Sequence, residues 1–177
     1  MYEAHFPKKR YKHTLSFLQK HIDPSLHILD LGVENPFTHM MRAHGYTVAN
    51  TKGEDLDLDF SGISSSDAPI VTAFEIFEHL LAPLNVLSKL KAEKLVASVP
   101  LRLWFSPAYR SKTDKWDRHY HEFESWQFDW LLEKAGWKII DHTKWTNPVN
   151  KIGIRPFLRR FTPRYYIVYA ERIDPLT

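Results

Sequence analysis

The side chains best suited to move a proton are those of His119-Tyr120-His121, two imidazoles that titrate near neutral pH, set in a stretch rich in Trp, Tyr, Arg and Lys. Asp117, Glu122 and Glu124 stand beside them, and taken singly each histidine reads somewhat more readily as a loop histidine satisfied by one of these acids. The His-x-His spacing is also half of a metal site, but no third ligand follows at a recognisable spacing, so no metal is expected. A second chemical feature is Ile28-Leu29-Asp30-Leu31-Gly32. One carboxylate interrupts an apolar run, and a glycine lets the backbone turn sharply after it, as α/β sheets do where they bind ligands. The 177 residues contain no cysteine, which excludes disulfides, thiolate metal sites and a cysteine nucleophile.

These groups need elements to hold them. Tyr11, Leu15, Leu18 and Ile22 recur at helical spacing and predict an amphipathic helix over 11–22, packed across the first strand and ended by Asp23-Pro24. Residues 28–31 read as a buried strand. Asn35 then caps a helix that begins at Pro36 and stops at Gly45. Tyr46 to Asn50 is a second short strand, followed by an acidic loop from Lys52 to Asp67. A full helix and strand hardly fit between Asn50 and the next strand, so one crossover is shortened. Ile70 to Phe74 is that next strand. Leu80, Leu84, Leu87 and Leu90 share a helical face, with Pro83 near its start, and Lys94 to Val99 is a strand ended by Pro100. Periodicity disappears from Leu101 to Glu124. Ser125 is expected to cap a helix to Ala135, with Trp126 and Trp130 in the core and Gly136 as the stop. Trp137 to Trp145 and Tyr165 to Arg172 are strand-like and pair antiparallel. The expected fold is therefore α/β: a single domain over 1–177, with a Rossmann-like, mostly parallel sheet, helices on both faces and an antiparallel C-terminal strand pair.

With 44% hydrophobic and 14% aromatic residues the chain can fill one core. Met1 to Arg10 lacks the apolar centre of a signal peptide, and no later run is long enough to span a bilayer, so a cytoplasmic protein without a transmembrane segment is expected. The formal charge of +3 does not indicate a nucleic-acid binder. Lys151, Arg155, Arg159, Arg160 and Arg164 form an acid-free segment that reads as a solvated basic face, although a phosphorylated substrate, an anionic membrane or nucleic acid would also suit it. The sequence leaves the oligomeric state open.

In this order of elements the chain resembles the class I S-adenosylmethionine-dependent methyltransferases over nearly its whole length. Residues 28–32 are similar to that family's first nucleotide motif, Phe74-Glu75-Ile76-Phe77-Glu78-His79-Leu80 to its segment after the fourth strand, and Ala97-Ser98-Val99-Pro100 to its fifth strand end. His119-Tyr120-His121-Glu122-Phe123, with the Trp-rich helix and Gly136-Trp137, is similar to the small-molecule branch. One departure stands out: Glu34 and Pro36 occupy the places where the family usually carries glycines.

The resemblance implies a seven-stranded sheet whose last strand is antiparallel. It further implies S-adenosylmethionine as cofactor and methyl transfer to a small-molecule acceptor. Asp30 and Gly32, with the backbone of Val33 and Glu34, would lie at the amino-acid end of the cofactor. Asn50 and Thr51 occupy the strand end that grips the ribose, where an acid would serve best, and Asp55 or Asp57 could reach instead. Phe74, Glu75 and Ile76 would line the methionine or adenine pocket, while His79 holds the loop. Methyl transfer needs mainly alignment, since the sulfonium is already activated, and a base only for an acidic acceptor proton. That role would fall to His119 or His121. Trp104, Tyr109, Trp116 and Tyr120 would offer stacking faces to acceptor or sulfonium. The competing readings are a catalytically inactive binding or scaffold protein of the same fold and, further off, a nucleic-acid methyltransferase.

Overall fold

The computed structural model describes residues 7–115 and 117–173; Trp116, one of the expected acceptor contacts, lies outside them. The chain runs α1 (Lys8–His21), β1 (His27–Asp30), α2 (Pro36–Ala43), β2 (Thr47–Asn50), α3 (Ser61–Ser64) and β3 (Ile70–Phe74). A 3-10 turn (Phe77–His79) leads to α4 (Pro83–Lys89), β4 (Lys94–Pro100), α5 (Ser125–Lys134), β5 (Trp137–Thr146), α6 (Ile154–Leu158) and β6 (Pro163–Arg172). The strands form one sheet in the order β2-β1-β3-β4-β6-β5. The first four are parallel, and β6 runs antiparallel to both β4 and β5.

Side chains alternate across a strand, and the apolar runs use that alternation to bury both faces. Ile28, Ile70, Val96 and Ile167 face a layer formed by Leu15, Phe17 and Leu18 of α1 with Phe37 and Met41 of α2. Their neighbours Leu29, Val71, Leu95 and Val168 face Val86 and Leu87 of α4 and Phe128 and Leu132 of α5. Each large apolar side chain closed off in these layers contributes about 1.5–3 kcal/mol before entropy is counted. Local signals set the ends: Asn35 accepts hydrogen bonds from the N–H groups of Phe37 and Thr38, at 2.8 and 3.3 Å, with Pro36 first in α2.

Three expectations need correction. The sheet has six strands among the described residues, because the crossover after β2 holds only the four-residue α3 and no strand. That leaves β2 as a free edge. Arg42 on α2 covers it, donating from Nε and Nη2 to the Val48 carbonyl at 3.2 and 2.9 Å. Trp126 and Trp130 are not core residues: they are 46% and 65% exposed and pack edge to face on each other. Phe128 and Leu132 fill the buried stripe of α5, and positions two residues away fall on the opposite side of a 3.6-residue helix. The cap of α5 is Glu124 rather than Ser125, its N–H donating to Gln127 Oε1 at 2.9 Å.

Between β5 and β6 the acid-free segment carries α6 and projects Ile152, Ile154, Phe157 and Phe161 into solvent. No helix among the described residues is long and apolar enough to cross a membrane.

Candidate functional site

The β1 turn is built from beneath. Asp30 is buried, and its carboxylate accepts from Thr72 Oγ1 at 2.7 Å, Asn50 Nδ2 at 3.1 Å and Thr38 Oγ1 at 3.3 Å. Burial still outweighs these donors and pushes its pKa up to about 6. Gly32 follows with φ +101°, and a Cβ there would sit 3.3 Å from Ile76 Cδ1. Its N–H donates to Thr51 Oγ1 at 2.8 Å, while Asn50 Nδ2 also reaches the Gly32 carbonyl at 3.3 Å. Asn50 and Thr51 thus tie the end of β2 to the turn, and their side chains point under it. Glu34 is drawn outward instead. Arg42 Nη1 holds its carboxylate at 2.8 Å and His39 Nε2 lies 3.4 Å away.

The two acids of the following loop differ. Asp57 accepts from the backbone N–H groups of Leu81 and Ala82 at 2.8 and 2.9 Å, fastening the loop to the segment before α4. Asp55 is exposed and uses one oxygen on the Asp57 N–H at 3.0 Å.

At the carboxyl end of β3, Glu75 adopts φ +59°, a left-handed conformation costly for a residue with a side chain. Its carboxylate accepts from Ser98 Oγ at 2.8 Å and pairs with Arg10 Nη1 at 3.4 Å. Burial raises its pKa, opposed chiefly by Arg10. Phe74 packs edge to face on Phe37. Arg10 was not singled out by sequence reasoning. It lies 65 positions from its partner, inside a basic run that looks like solvated surface.

The segment from Leu101 to Glu124 closes over this edge. Its ends meet through Arg102 N–H and the Phe123 carbonyl at 2.9 Å, and its middle is clipped to the 3-10 turn by Tyr120 and His121 N–H groups donating to the Glu78 carbonyl at 2.8 and 3.2 Å. His79 Nδ1 donates to the Arg118 carbonyl at 3.0 Å, in keeping with a histidine that holds the loop. His119 packs on His79 and Tyr109, with ring centroids 4.7 and 4.6 Å apart. Burial, reinforced by His79 and Arg164, lowers its pKa to about 4. His121 stacks on Phe123 at 5.5 Å and its Nε2 lies 3.3 Å from the Leu81 carbonyl.

Tyr109, Arg110, Lys112, Arg118, His119 and Tyr120 line a cavity of about 490 Å³. Of the expected acceptor contacts, Tyr109 and Tyr120 belong to this cavity, whereas Trp104 lies outside it, 71% exposed and packed on Phe105. Sequence reasoning also did not bring Glu78 and His79 together with His119; one ligand atom from each lies within 4.8 Å of those of the other two.

No family model matches the sequence, and no curated protein matches it either. Solved structures do. A 1,6-didemethyltoxoflavin-N1-methyltransferase of Burkholderia thailandensis, solved with bound 1,6-didemethyltoxoflavin and S-adenosylhomocysteine, matches with a TM-score of 0.64 at 15% identity, covering 98% of this chain and 86% of that one. An S-adenosylmethionine-dependent methyltransferase of Mesorhizobium loti matches with a TM-score of 0.53 at 15% identity, over 89% and 96% of the two chains. The [4+2]-cyclase SpnF matches with a TM-score of 0.57 at 12% identity, over 93% and 82%. At such identities the likeness speaks to architecture. The chain has the class I S-adenosylmethionine-dependent methyltransferase fold, with six strands among the described residues where its sequence resemblance implied seven.

Proposed function

We propose that this protein is an S-adenosylmethionine-dependent methyltransferase acting on a small molecule. The observation that carries the reading is the β1 turn: Gly32 leaves the backbone open at the carboxyl edge while Glu34, which replaces a motif glycine, is drawn out of the crevice by Arg42. The residues present fit the cofactor. Gly32, Val33 and the Glu34 backbone would face its amino-acid end. Asp55 is the better ribose acid, because Asp57 is engaged by two backbone N–H groups and Asn50 and Thr51 point under the turn. Phe74, Glu75 and Ile76 supply the adjoining wall. The bound cofactor supplies an activated methyl group, so the chain's own contribution is alignment and exclusion of water.

The acceptor would enter the cavity walled by Tyr109, Tyr120 and His119. Where the acceptor is a hydroxyl, His119 or His121 would take its proton; burial lowers the His119 pKa to about 4, which makes that imidazole a weak base. Isothermal titration with S-adenosylmethionine and S-adenosylhomocysteine tests the reading. One-to-one binding is expected, and no heat with either ligand at high micromolar concentration overturns it.

A second reading keeps the fold and the ligand pocket without methyl transfer. The absence of an acid at the end of β2 favours it, and a protein named as a cyclase shares the architecture. Cofactor binding without methylation in a screen of nucleophilic acceptors would separate the two.

A further inference from the structure

We infer that Glu78, His79 and His119 form a binding site for a divalent transition-metal ion of the zinc type, which latches the acceptor loop to the end of β3. Three observations point to it. The ligand atoms of the three side chains all lie within 4.8 Å of one another, with His79 Nε2 3.8 Å from Glu78 Oε1. Two of the groups hold atoms that nothing in the described residues satisfies: Glu78 Oε2, on a side chain only 1% exposed, and His119 Nδ1 are both buried without a hydrogen-bond partner. A buried carboxylate oxygen without a donor is unfavourable, and a cation is a partner that satisfies it.

The third observation is the orientation of His79. Its Nδ1 donates to the Arg118 carbonyl at 3.0 Å, which fixes the tautomer and leaves Nε2 as a lone pair facing Glu78. Histidines that ligate a metal commonly donate their other ring N–H to a carbonyl or carboxylate, which fixes the ring's orientation.

The donor set chooses the ion. Two imidazoles and one carboxylate suit zinc, cobalt, nickel or iron(II), whereas magnesium and calcium favour all-oxygen shells. Bonds of roughly 2.0–2.2 Å in tetrahedral geometry would draw the ligand atoms to about 3.4 Å apart. Three protein ligands leave a fourth position for water or another oxygen, and His119 also lines the loop cavity. Glu78 and His79 belong to the 3-10 turn and His119 to the loop already clipped there by two backbone hydrogen bonds and by His79 Nδ1 on the Arg118 carbonyl, so the ion would add a further tie.

The site stands on its own geometry and does not depend on methyl transfer, so it is tested without cofactor. Chelator-treated full-length protein is titrated calorimetrically with zinc chloride and, separately, with magnesium chloride. Cobalt(II) is added for its visible absorption. One zinc ion per chain at micromolar or tighter affinity, no magnesium binding, and a cobalt spectrum of low coordination number are expected. Glu78→Gln and His119→Ala should each weaken zinc binding at least tenfold, while His27→Ala, on an exposed histidine at the start of β1, leaves it unchanged. His119 lies in the loop, so its variant keeps the test valid where Glu78→Gln fails to fold. Absence of zinc binding, or binding that survives His119→Ala undiminished, overturns the proposal. Failure to bind S-adenosylhomocysteine bears on the proposed function alone.

Discussion

Arg10 Nη1 lies 3.4 Å from Glu75 Oε2, so the first helix reaches over the carboxyl edge of the sheet to neutralise a carboxylate at the end of β3. Removing the cation strands the charge. Because 24% of the Arg10 side chain remains exposed, Arg10→Met should cost about 1–3 kcal/mol, less than a fully buried pair. Arg10→Met combined with Glu75→Gln should recover most of that loss. Urea unfolding of the three proteins is the measurement, and a double variant no more stable than the single one counts against the pairing.

Gly32→Ala should destabilise the fold by about 1–2 kcal/mol and weaken S-adenosylhomocysteine binding. A side chain at φ +101° is strained, and its Cβ would press on Ile76 Cδ1. Adding Ile76→Val relieves only the contact, so a melting temperature restored to wild type by the second change would show that backbone strain plays no part.

Asp30 makes stability depend on pH in a stated direction. Its folded pKa of about 6 lies above the value of about 3.9 in an unfolded chain, so the folded state holds this proton more tightly. The contribution is complete below about pH 4 and is lost as pH rises through 6. Asp30→Asn removes the titration. The unfolding free energy of wild type relative to this variant should therefore fall by about 2–3 kcal/mol between pH 4 and pH 7. Parallel pH profiles would contradict the assignment.

Asp55 and Asp57 should separate ligand contact from loop anchoring. Asp57→Ala leaves the Leu81 and Ala82 N–H groups without their acceptor and should cost about 1–2 kcal/mol in thermal or urea unfolding. Asp55→Ala should leave stability nearly unchanged and weaken S-adenosylmethionine binding severalfold by calorimetry. Equal effects of the two changes on affinity would remove the distinction.

Much of this arrangement was legible because it rests on local signals. Ile70–Phe74 is a strand with the expected ends, Asn35 and Pro36 start α2, and the pairing of the two C-terminal strands follows from a connection too irregular for a parallel crossover. The short crossover after Asn50 was legible too, and it prevailed over the seven strands that family likeness suggested. What escaped was long-range or rotational. Neither the pairing of Arg10 with Glu75 nor the meeting of Glu78 and His79 with His119, 40 residues on, leaves a periodic trace. On α5, Trp126 and Trp130 sit at a spacing that fits either face of a helix, and only the competing stripe of Phe128 and Leu132 decides which face is buried.

The free edge at β2 carries a hazard that the fold handles with one side chain. An unpaired strand edge offers carbonyl and amide groups to any foreign strand, the first step of edge-to-edge aggregation. Here the acceptor at Val48 is taken by the forked guanidinium of Arg42, and Glu34 grips the same guanidinium from the other side. The acid that replaces a motif glycine at the mouth of the crevice is thereby also a clamp on the residue that occupies the edge carbonyl of Val48.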